Sequence, residues 1–372
     1  MSRFNLLLFL LICSTTLVFS SYSFAQLQEL AVTIDNIGAE SIVFDVPELR
    51  SQNNEVHPIP KPILFTGDIL LARHVEYLMN QNGATYPFRQ LTTLFASSSY
   101  VIANFEAAIP LVHQKTPNGK MVFSVPSSSA AVLYDAGVTH VSLANNHAID
   151  QGTTGYLNTR AILTDANITP FGHPVTLSSS SITFINYGEV KISIIGIHTL
   201  FKTPDITTLT SLLGYMASNS DIQIAYMHWG NEYQPKHSLK ERVLAETVIE
   251  KGIDAIIGHH PHVTQDIEVI NNVPIFYSLG NLIFDQYFSL EVQQGYMLQL
   301  SVNEKNFQFD LLPVTSVGTK AQPRVMNQQE KDVFLTDLAT RSQPELAENI
   351  KRGRVIIDRT LATSTKNSII SL

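Results

Sequence analysis

An α/β sandwich with mixed sheets is the fold this sequence predicts, and three observations predict it. Five apolar, strand-like runs each end in the same kind of polar group: Asp68, Glu106, Asn146-His147, His228, and the cluster Gly258-His259-His260-Pro261-His262. Helix-like segments alternate with those runs through the first two thirds of the chain. Hairpin-like pairs of runs then take over, which suits mixed sheets in layers better than a purely parallel sheet.

The elements follow in order. Residues 63–66 form the first strand, leading through Gly67 to Asp68 and a helix over about 71–80. A second strand covers 100–103. Ser127 stands where a helix N-cap belongs, and the helix it opens runs through Tyr134 and stops at Gly137. Strand 140–144 leads to Asn145-Asn146-His147, followed by a helix from about 156 to 166. Runs 182–187 and 190–197 flank Gly188-Glu189 as a hairpin. Strand 222–227 delivers His228, helix 239–250 ends at Gly252, and strand 255–257 meets the histidine cluster. A second hairpin turns at Asn271-Asn272, and runs 296–302 and 307–312 add further sheet. From 328 to 360 helix alternates with a short strand, and the Ser/Thr-rich end from Ala362 is expected to fray.

Composition narrows the function. The chain has 372 residues, 44% hydrophobic and 15% charged, enough for a sizeable core. A net charge of -8 argues against nucleic acid, which usually needs a basic footprint. Arg3, the apolar run over 6–11, Leu17-Val18-Phe19 and the small-residue site Ser23-Phe24-Ala25 read as a cleaved signal peptide over 1–25. The rival is an uncleaved membrane anchor, but Ser14, Thr15 and Thr16 interrupt a span that wants about 18 apolar residues. Ile12 before Cys13 argues against a lipoprotein. The expected destination is the periplasm or cell surface, with membrane association only if the signal stays attached. Cys13 is the sole cysteine, so cleavage leaves no thiol for disulfides, nucleophilic catalysis or zinc thiolates. Residues 26–61 read as a leader with the Pro-rich entry 58–62, 62–315 as the main domain, and 316–372 as a C-terminal extension.

Asp, Glu, Asn and His converging from strand ends is the recipe for a metal site, because neutral imidazole is the commonest protein metal ligand and α/β folds place ligands at the carboxyl ends of strands. Oxygen and nitrogen donors without sulfur suit Mn, Fe or Zn, one ion or two. Each residue also has a plainer use. Asp68 suits a helix N-cap, Asn145 and Asn146 suit turns, and Arg73 suits an ordinary ion pair. His259 lies off the Gly-His-x-His spacing. Trp229 is equally at home in a core or as a stacking platform. Gly280 and Asn281, within 277–284, suit a tight turn acting through packing. His57, His113, His173 and His237 stand outside any motif and are expected to be solvated.

Six motifs stand in a fixed order: Gly67-Asp68-Ile69-Leu70-Leu71-Ala72-Arg73, Asn104-Phe105-Glu106, Ala144-Asn145-Asn146-His147-Ala148-Ile149-Asp150-Gln151-Gly152, His228-Trp229-Gly230-Asn231-Glu232, Gly258 through His262, and Tyr277-Ser278-Leu279-Gly280-Asn281-Leu282-Ile283-Phe284. Over residues 62–315 they resemble the CapA (PgsA-type) poly-γ-glutamate capsule synthesis family, a branch of the calcineurin-like metallophosphoesterases. The resemblance implies a two-sheet sandwich flanked by helices, with one or two divalent metals at the strand ends. It implies Asp68, Glu106, Asn146, His228, His260 and His262 as metal ligands. His147 would assist the leaving group or substrate, with Asp150 orienting it, and Arg73 would clamp an anionic group. Two departures stand out. The superfamily has a bridging Asp where this chain has the longer Glu106, and it has His two residues after the first Asp, where this chain has Leu70, so that Asn104 or Glu232 is left as a substitute, or else a single metal. Two functions follow from the resemblance. One is an exported metal-dependent hydrolase acting on capsule or envelope polymer intermediates, its partner a phosphoester or anionic polymer. The other is a non-catalytic, metal-dependent component that binds an anionic capsule polymer for release or transport, beside separate capsule synthesis and export proteins.

Overall fold

The computed structural model describes residues 60–117, 119–303 and 305–358. The expected signal peptide over 1–25, most of the leader over 26–61, His57 and the frayed end lie outside the described residues.

The first sheet opens with β1 (Ile63–Ile69), β2 (Tyr100–Phe105), β3 (His140–Ser142) and β4 (Thr169–Phe171). Helices α1 (Arg73–Asn82), α2 (Thr92–Ala96), α3 (Ser128–Ala136) and α4 (Gly152–Asp165) lie between them in sequence. The second sheet takes the hairpin β5 (Ile182–Tyr187) and β6 (Val190–His198), then α5 (Ile206–Asn219), β7 (Ile222–His228), α6 (Leu239–Ile249), β8 (Ala255–His259), β9 (Ile267–Ile270) and β10 (Val273–Phe276). The chain returns to the first sheet through β11 (Asn281–Ile283), β12 (Gln294–Val302), β13 (Asn306–Thr315) and β14 (Arg324–Val325). After α7 (Gln328–Arg341) and α8 (Ala347–Lys351), β15 (Arg354–Asp358) closes the described chain.

Among the described residues the first sheet runs β14-β13-β12-β1-β2-β3-β4, with β11 on β1 and β15 on β13, and the second runs β5-β6-β7-β8-β10-β9. Strands β1 to β4 are parallel, as are β6, β7, β8 and β10, while the late strands pair antiparallel. The expected α/β sandwich of two mixed sheets is what forms. Alternation along the strands explains why. Ile63 and Phe65 of β1 pack into the same cluster as Ile224, Tyr226 and Ile257 of the second sheet, so they fill the space between sheets. Leu64 points the other way, into a cluster with Val75 and Phe95 of the first sheet's helices. Ala225 and Met227 likewise turn away from the first sheet, toward Leu209 and Val248 of α5 and α6. Strands covered on both faces read as continuous apolar runs, which is how they look in the sequence.

Several elements depart from the sequence reading. Asp68 is not a helix cap: it lies within β1, and α1 starts five residues later behind Ala72. Strand β4 holds Pro170, tolerated because β4 is the sheet's edge. Helix α5 begins with the β-branched Ile206, Thr207 and Thr208, a poor helix signal, yet Asp205 caps it by accepting from the Thr208 N–H at 2.7 Å. The stretch beyond residue 315 is woven into the domain. β15 pairs with β13, and Ser342 and Gln343 take up the N–H groups of Ile267 and Val269 on β9, an otherwise open edge. No described helix is long and apolar enough to cross a membrane.

Of the histidines expected to be solvated, the three among the described residues are bonded instead. His113 bridges Ser124 and Glu76, His173 accepts from the N–H groups of Val175 and Thr176, and His237 meets Asp266 at 2.9 Å while stacking on Tyr277 at 4.0 Å.

Gly258 shows how tightly β8 is packed where it enters the histidine cluster. An added Cβ would strike the Tyr277 carbonyl oxygen and come 2.6 Å from Trp229 Nε1, which donates to that same carbonyl at 2.9 Å. Gly258→Ala is expected to cost about 2–3 kcal/mol in urea unfolding. Burial opposes the charged form of His237, but the hydrogen bond and charge of Asp266, then Glu268, outweigh it and raise its pKa. A raised folded value means this stabilisation is complete below the unfolded pKa of about 6.5 and is lost as pH rises through the folded value. The stability gap between wild type and His237→Gln should therefore be wider near pH 6 than near pH 9.

Candidate metal centre

The carboxyl ends of β1 and β2 bring Asp68 and Glu106 together, both fully buried. The side-chain amide of Asn104 donates to both, at 2.8 Å to Asp68 Oδ1 and 2.9 Å to Glu106 Oε1. Its own oxygen accepts from Asn145 Nδ2 at 3.1 Å. Asn104 is thus committed to holding the pair, so it does not fill the gap left by Leu70. Burial, then the charge of Asp68, pushes the Glu106 carboxyl well above its ordinary value. Asp68 goes the other way. Burial alone would raise its pKa, but His262, His259 and Asn104 together bring it down.

The second sheet supplies the imidazoles. His228 ends β7, with Nε2 2.8 Å from Asn146 Oδ1 and Nδ1 3.8 Å from Glu106 Oε1. Burial, then the ring of His262, takes His260 down to about 3, with smaller contributions from His147 and His198, and burial takes His228 well below its usual range. Both are therefore neutral, the form that ligates metals. His262 is set by a relay. Asn281 Nδ2 donates to Gln286 Oε1 and the Val292 carbonyl, which leaves Asn281 Oδ1 to accept from His262 Nδ1 at 2.9 Å. That fixes the tautomer and frees Nε2 as a donor. Asn281 therefore acts on the site directly rather than by packing alone. His260 and His262 both adopt left-handed backbone, φ 98° and 60°, which non-glycine residues seldom do away from functional sites.

These donors fit a divalent cation. One ligand atom each from Asp68, Glu106 and His262 lie within 4.8 Å of one another. Glu106 Oε2 and His260 Nδ1 are buried without a hydrogen-bond partner among the described residues. Buried polar atoms are nearly always satisfied, and a cation would serve the carboxylate pair and the free imidazole lone pairs together.

His147 sits beside this cluster on a short 3₁₀ turn capped by Asn145, whose Oδ1 accepts from the N–H groups of His147 and Ala148. Asp150 Oδ2 meets His147 Nδ1 at 2.8 Å and also accepts from the Phe123 N–H. Phe123 stacks on the His147 ring at 4.0 Å, and the Arg73 guanidinium lies 4.6 Å from the Phe123 centroid. Arg73 is not the open anion clamp the sequence suggests. It is buried and ion-paired with Asp285, which also accepts from the His74 N–H. Its place is to hold Phe123, and through it His147.

Two other candidates, Trp229 and His259, fall outside the donor set. Trp229 is core, 1% exposed. His259 is buried behind Asp68 with Nε2 3.0 Å from the Thr66 carbonyl. Sequence reasoning missed Phe123, Asp285 and His198. His198 ends β6 in register with His228, their ring centroids 5.5 Å apart. Its Nδ1 faces the Pro174 carbonyl at 2.6 Å, and its buried Nε2 has no partner among the described residues. The signal was an apolar run ending in His, the same one that flagged His228.

Glu106 is the costly member of the site without a cation, one oxygen unpartnered and a second carboxylate alongside. In metal-stripped protein at neutral pH, Glu106→Gln should be more stable than wild type by roughly 1–3 kcal/mol and melt at a higher temperature. Added divalent metal should reverse the order. Thermal melts with and without metal check both halves.

Comparison with known proteins places the chain. It is 28% identical over 333 residues to the "PGA biosynthesis protein CapA" of Bacillus subtilis (strain 168), covering 84% of this chain and 85% of that one. It is 27% identical over 322 residues to the "Capsule biosynthesis protein CapA" of Bacillus anthracis, covering 78% of each. Among solved structures, a hypothetical protein from Thermus thermophilus aligns with a TM-score of 0.44 at 19% identity, over 71% of this chain and 98% of that one. The family model described as "Bacterial capsule synthesis protein PGA_cap" matches residues 62–286. With every one of the candidate donors inside that match, the chain belongs to the PGA_cap family of bacterial capsule synthesis proteins.

Proposed function

We propose that this chain is an exported, metal-dependent hydrolase of the phosphoesterase type, acting on polymer intermediates in the synthesis of an anionic capsule such as poly-γ-glutamate. The capsule role rests on family membership and on the CapA relatives named for PGA and capsule biosynthesis. Export rests on the signal-like residues 1–25. The hydrolytic reading is carried by one observation: the His147–Asp150 pair, 2.8 Å apart, stands next to a convergent set of oxygen and nitrogen donors.

Asp68, Glu106, Asn146, His228, His260 and His262 would hold Mn, Fe or Zn. Bound there, divalent metal supplies positive charge to a phosphoryl oxygen and makes water a better nucleophile at neutral pH. The chain's own residues do the rest. Asp150 holds His147 Nδ1, so Nε2 is the nitrogen left to exchange a proton with the substrate's leaving oxygen. The stack Arg73–Phe123–His147 keeps the ring from rotating away. Asn104 spaces Asp68 and Glu106 so that neither oxygen pair collapses onto the other. Substrate charge is met by the metal-loaded centre and not by Arg73, which Asp285 already neutralises.

One observation favours the non-catalytic reading, in which the site binds an anionic polymer for release or transport. Leu70 is wholly buried in the core, so the imidazole used by hydrolytic relatives of the superfamily is missing. Turnover separates the two. Full-length protein loaded with Mn, Fe or Zn should hydrolyse a model phosphoester, and His147→Ala should lower kcat by about 10²–10⁴ with metal content unchanged. Equal rates in the two proteins, or metal-dependent polymer binding with no hydrolysis, would reject the hydrolase. A His260→Ala/His262→Ala double variant should lose its metal by elemental analysis.

A further inference from the structure

Leu70 offers no donor to the site. Its side chain is 0% exposed in the core beneath α1, and its N–H is bonded to the Ile283 carbonyl at 2.8 Å. Asn104, one of the two substitutes the sequence suggests, is committed to Asp68, Glu106 and Asn145.

Across the site, Glu232 faces the same imidazoles. One ligand atom each from Glu232, His260 and His262 lie within 4.8 Å of one another, a second convergent group sharing His262 with the first. Glu232 is partly buried, in the turn that follows β7. That turn is pinned along its length. The Trp229 N–H bonds the His259 carbonyl at 3.2 Å, and the Tyr233 N–H bonds the Pro261 carbonyl at 2.8 Å. Gly230 has φ 81°, and an added Cβ would run into the Glu241 carboxylate. Tyr233 also takes left-handed backbone, φ 62°, and its hydroxyl accepts from Gln286 Nε2 at 3.0 Å. Gln286 is the residue that holds Asn281, which holds His262. The carboxylate and the imidazole are thus positioned by one hydrogen-bonded chain. A turn with two left-handed residues and three tethers is an expensive way to place a surface glutamate and a sound way to place a ligand.

We propose that Glu232 is a metal ligand that takes the place of the imidazole missing at Leu70; this rests on the metal-centre reading above. Two consequences follow. Oxygen donors then come from Asp68, Glu106, Asn146 and Glu232 against nitrogen from His228, His260 and His262, a balance shifted toward Mn²⁺ and Fe²⁺ and away from Zn²⁺ relative to a site with the imidazole. Charge also bears on the number of ions: the three carboxylates alone outweigh one divalent ion and are outweighed by two, which would leave a centre able to receive an anionic substrate.

The test is metal binding, measured apart from activity. Full-length wild type, Glu232→Gln and Glu232→His are stripped with chelator and titrated with Mn²⁺ and Zn²⁺ by calorimetry, with bound metal counted by elemental analysis. Loss of a partner outside the ligand set typically costs about 10–100-fold in affinity, so loss of a ligand should cost at least that. Glu232→Gln is expected to lose one equivalent or bind it more than about 100-fold more weakly. Glu232→His should regain it with the Mn²⁺/Zn²⁺ preference moved toward Zn²⁺. Matching melting temperatures of the stripped proteins show the fold is unaltered, and if Glu232→Gln is less stable the His variant carries the test. Wild-type count and affinity in Glu232→Gln overturn the inference and leave the metal centre standing. A wild type that takes up no metal removes the centre itself.

Discussion

Two buried carboxylates held a hydrogen bond's length from one amide are the constraint around which this molecule is built. Asp68 and Glu106 arrive on adjacent parallel strands, and Asn104 between them donates to both. Among the described residues neither is paired with lysine or arginine; their ion-pair contacts are histidines alone. Burying like charges without a counter-charge is among the costlier things a fold can do. The surroundings answer with the Asn104 amide, the His260 N–H and imidazoles instead of lysine or arginine, an arrangement that positive charge from outside the chain would stabilise.

The fold makes that arrangement possible because its central strands are parallel in both sheets. Parallel strands finish on the same side, so five strand ends can present side chains to one point while their apolar stretches fill the layers behind. The cost appears in the backbone. Arg73, Tyr233, His260 and His262 all have positive φ, and all four belong to the site or brace it. Each such conformation costs on the order of 1 kcal/mol or more, and these four fall where side chains of the site must be aimed.

Much of this is legible from residue order. Apolar runs ending in Asp, Asn or His mark β1, β3, β7 and β8, because a doubly covered strand shows itself as a continuous hydrophobic stretch. The same logic covers His198, but that residue ends a hairpin strand and belongs to no motif, so the run alone carries the signal. Arg73 misleads for a different reason. Its partner Asp285 lies 212 residues away, and no local pattern reveals a long-range ion pair. Phe123 is invisible as well, because a stacking role depends on what the fold places above and below a ring. Asn281 looks like a turn residue, and only the direction of its amide shows that it sets the tautomer of His262.

The six donors read from the sequence divide evenly between the layers. Asp68 lies in β1 and Glu106 and Asn146 follow strands of the first sheet, while His228, His260 and His262 belong to the second. An ion bound among them would act as a clasp between the two halves of the sandwich, much as a disulfide does in many small domains. In a chain whose single cysteine is Cys13, that clasp would be the strongest cross-link available to the domain. Its strength would follow the supply of metal around the protein and not the redox state, so the rigidity of the sandwich and the readiness of the site would rise and fall together.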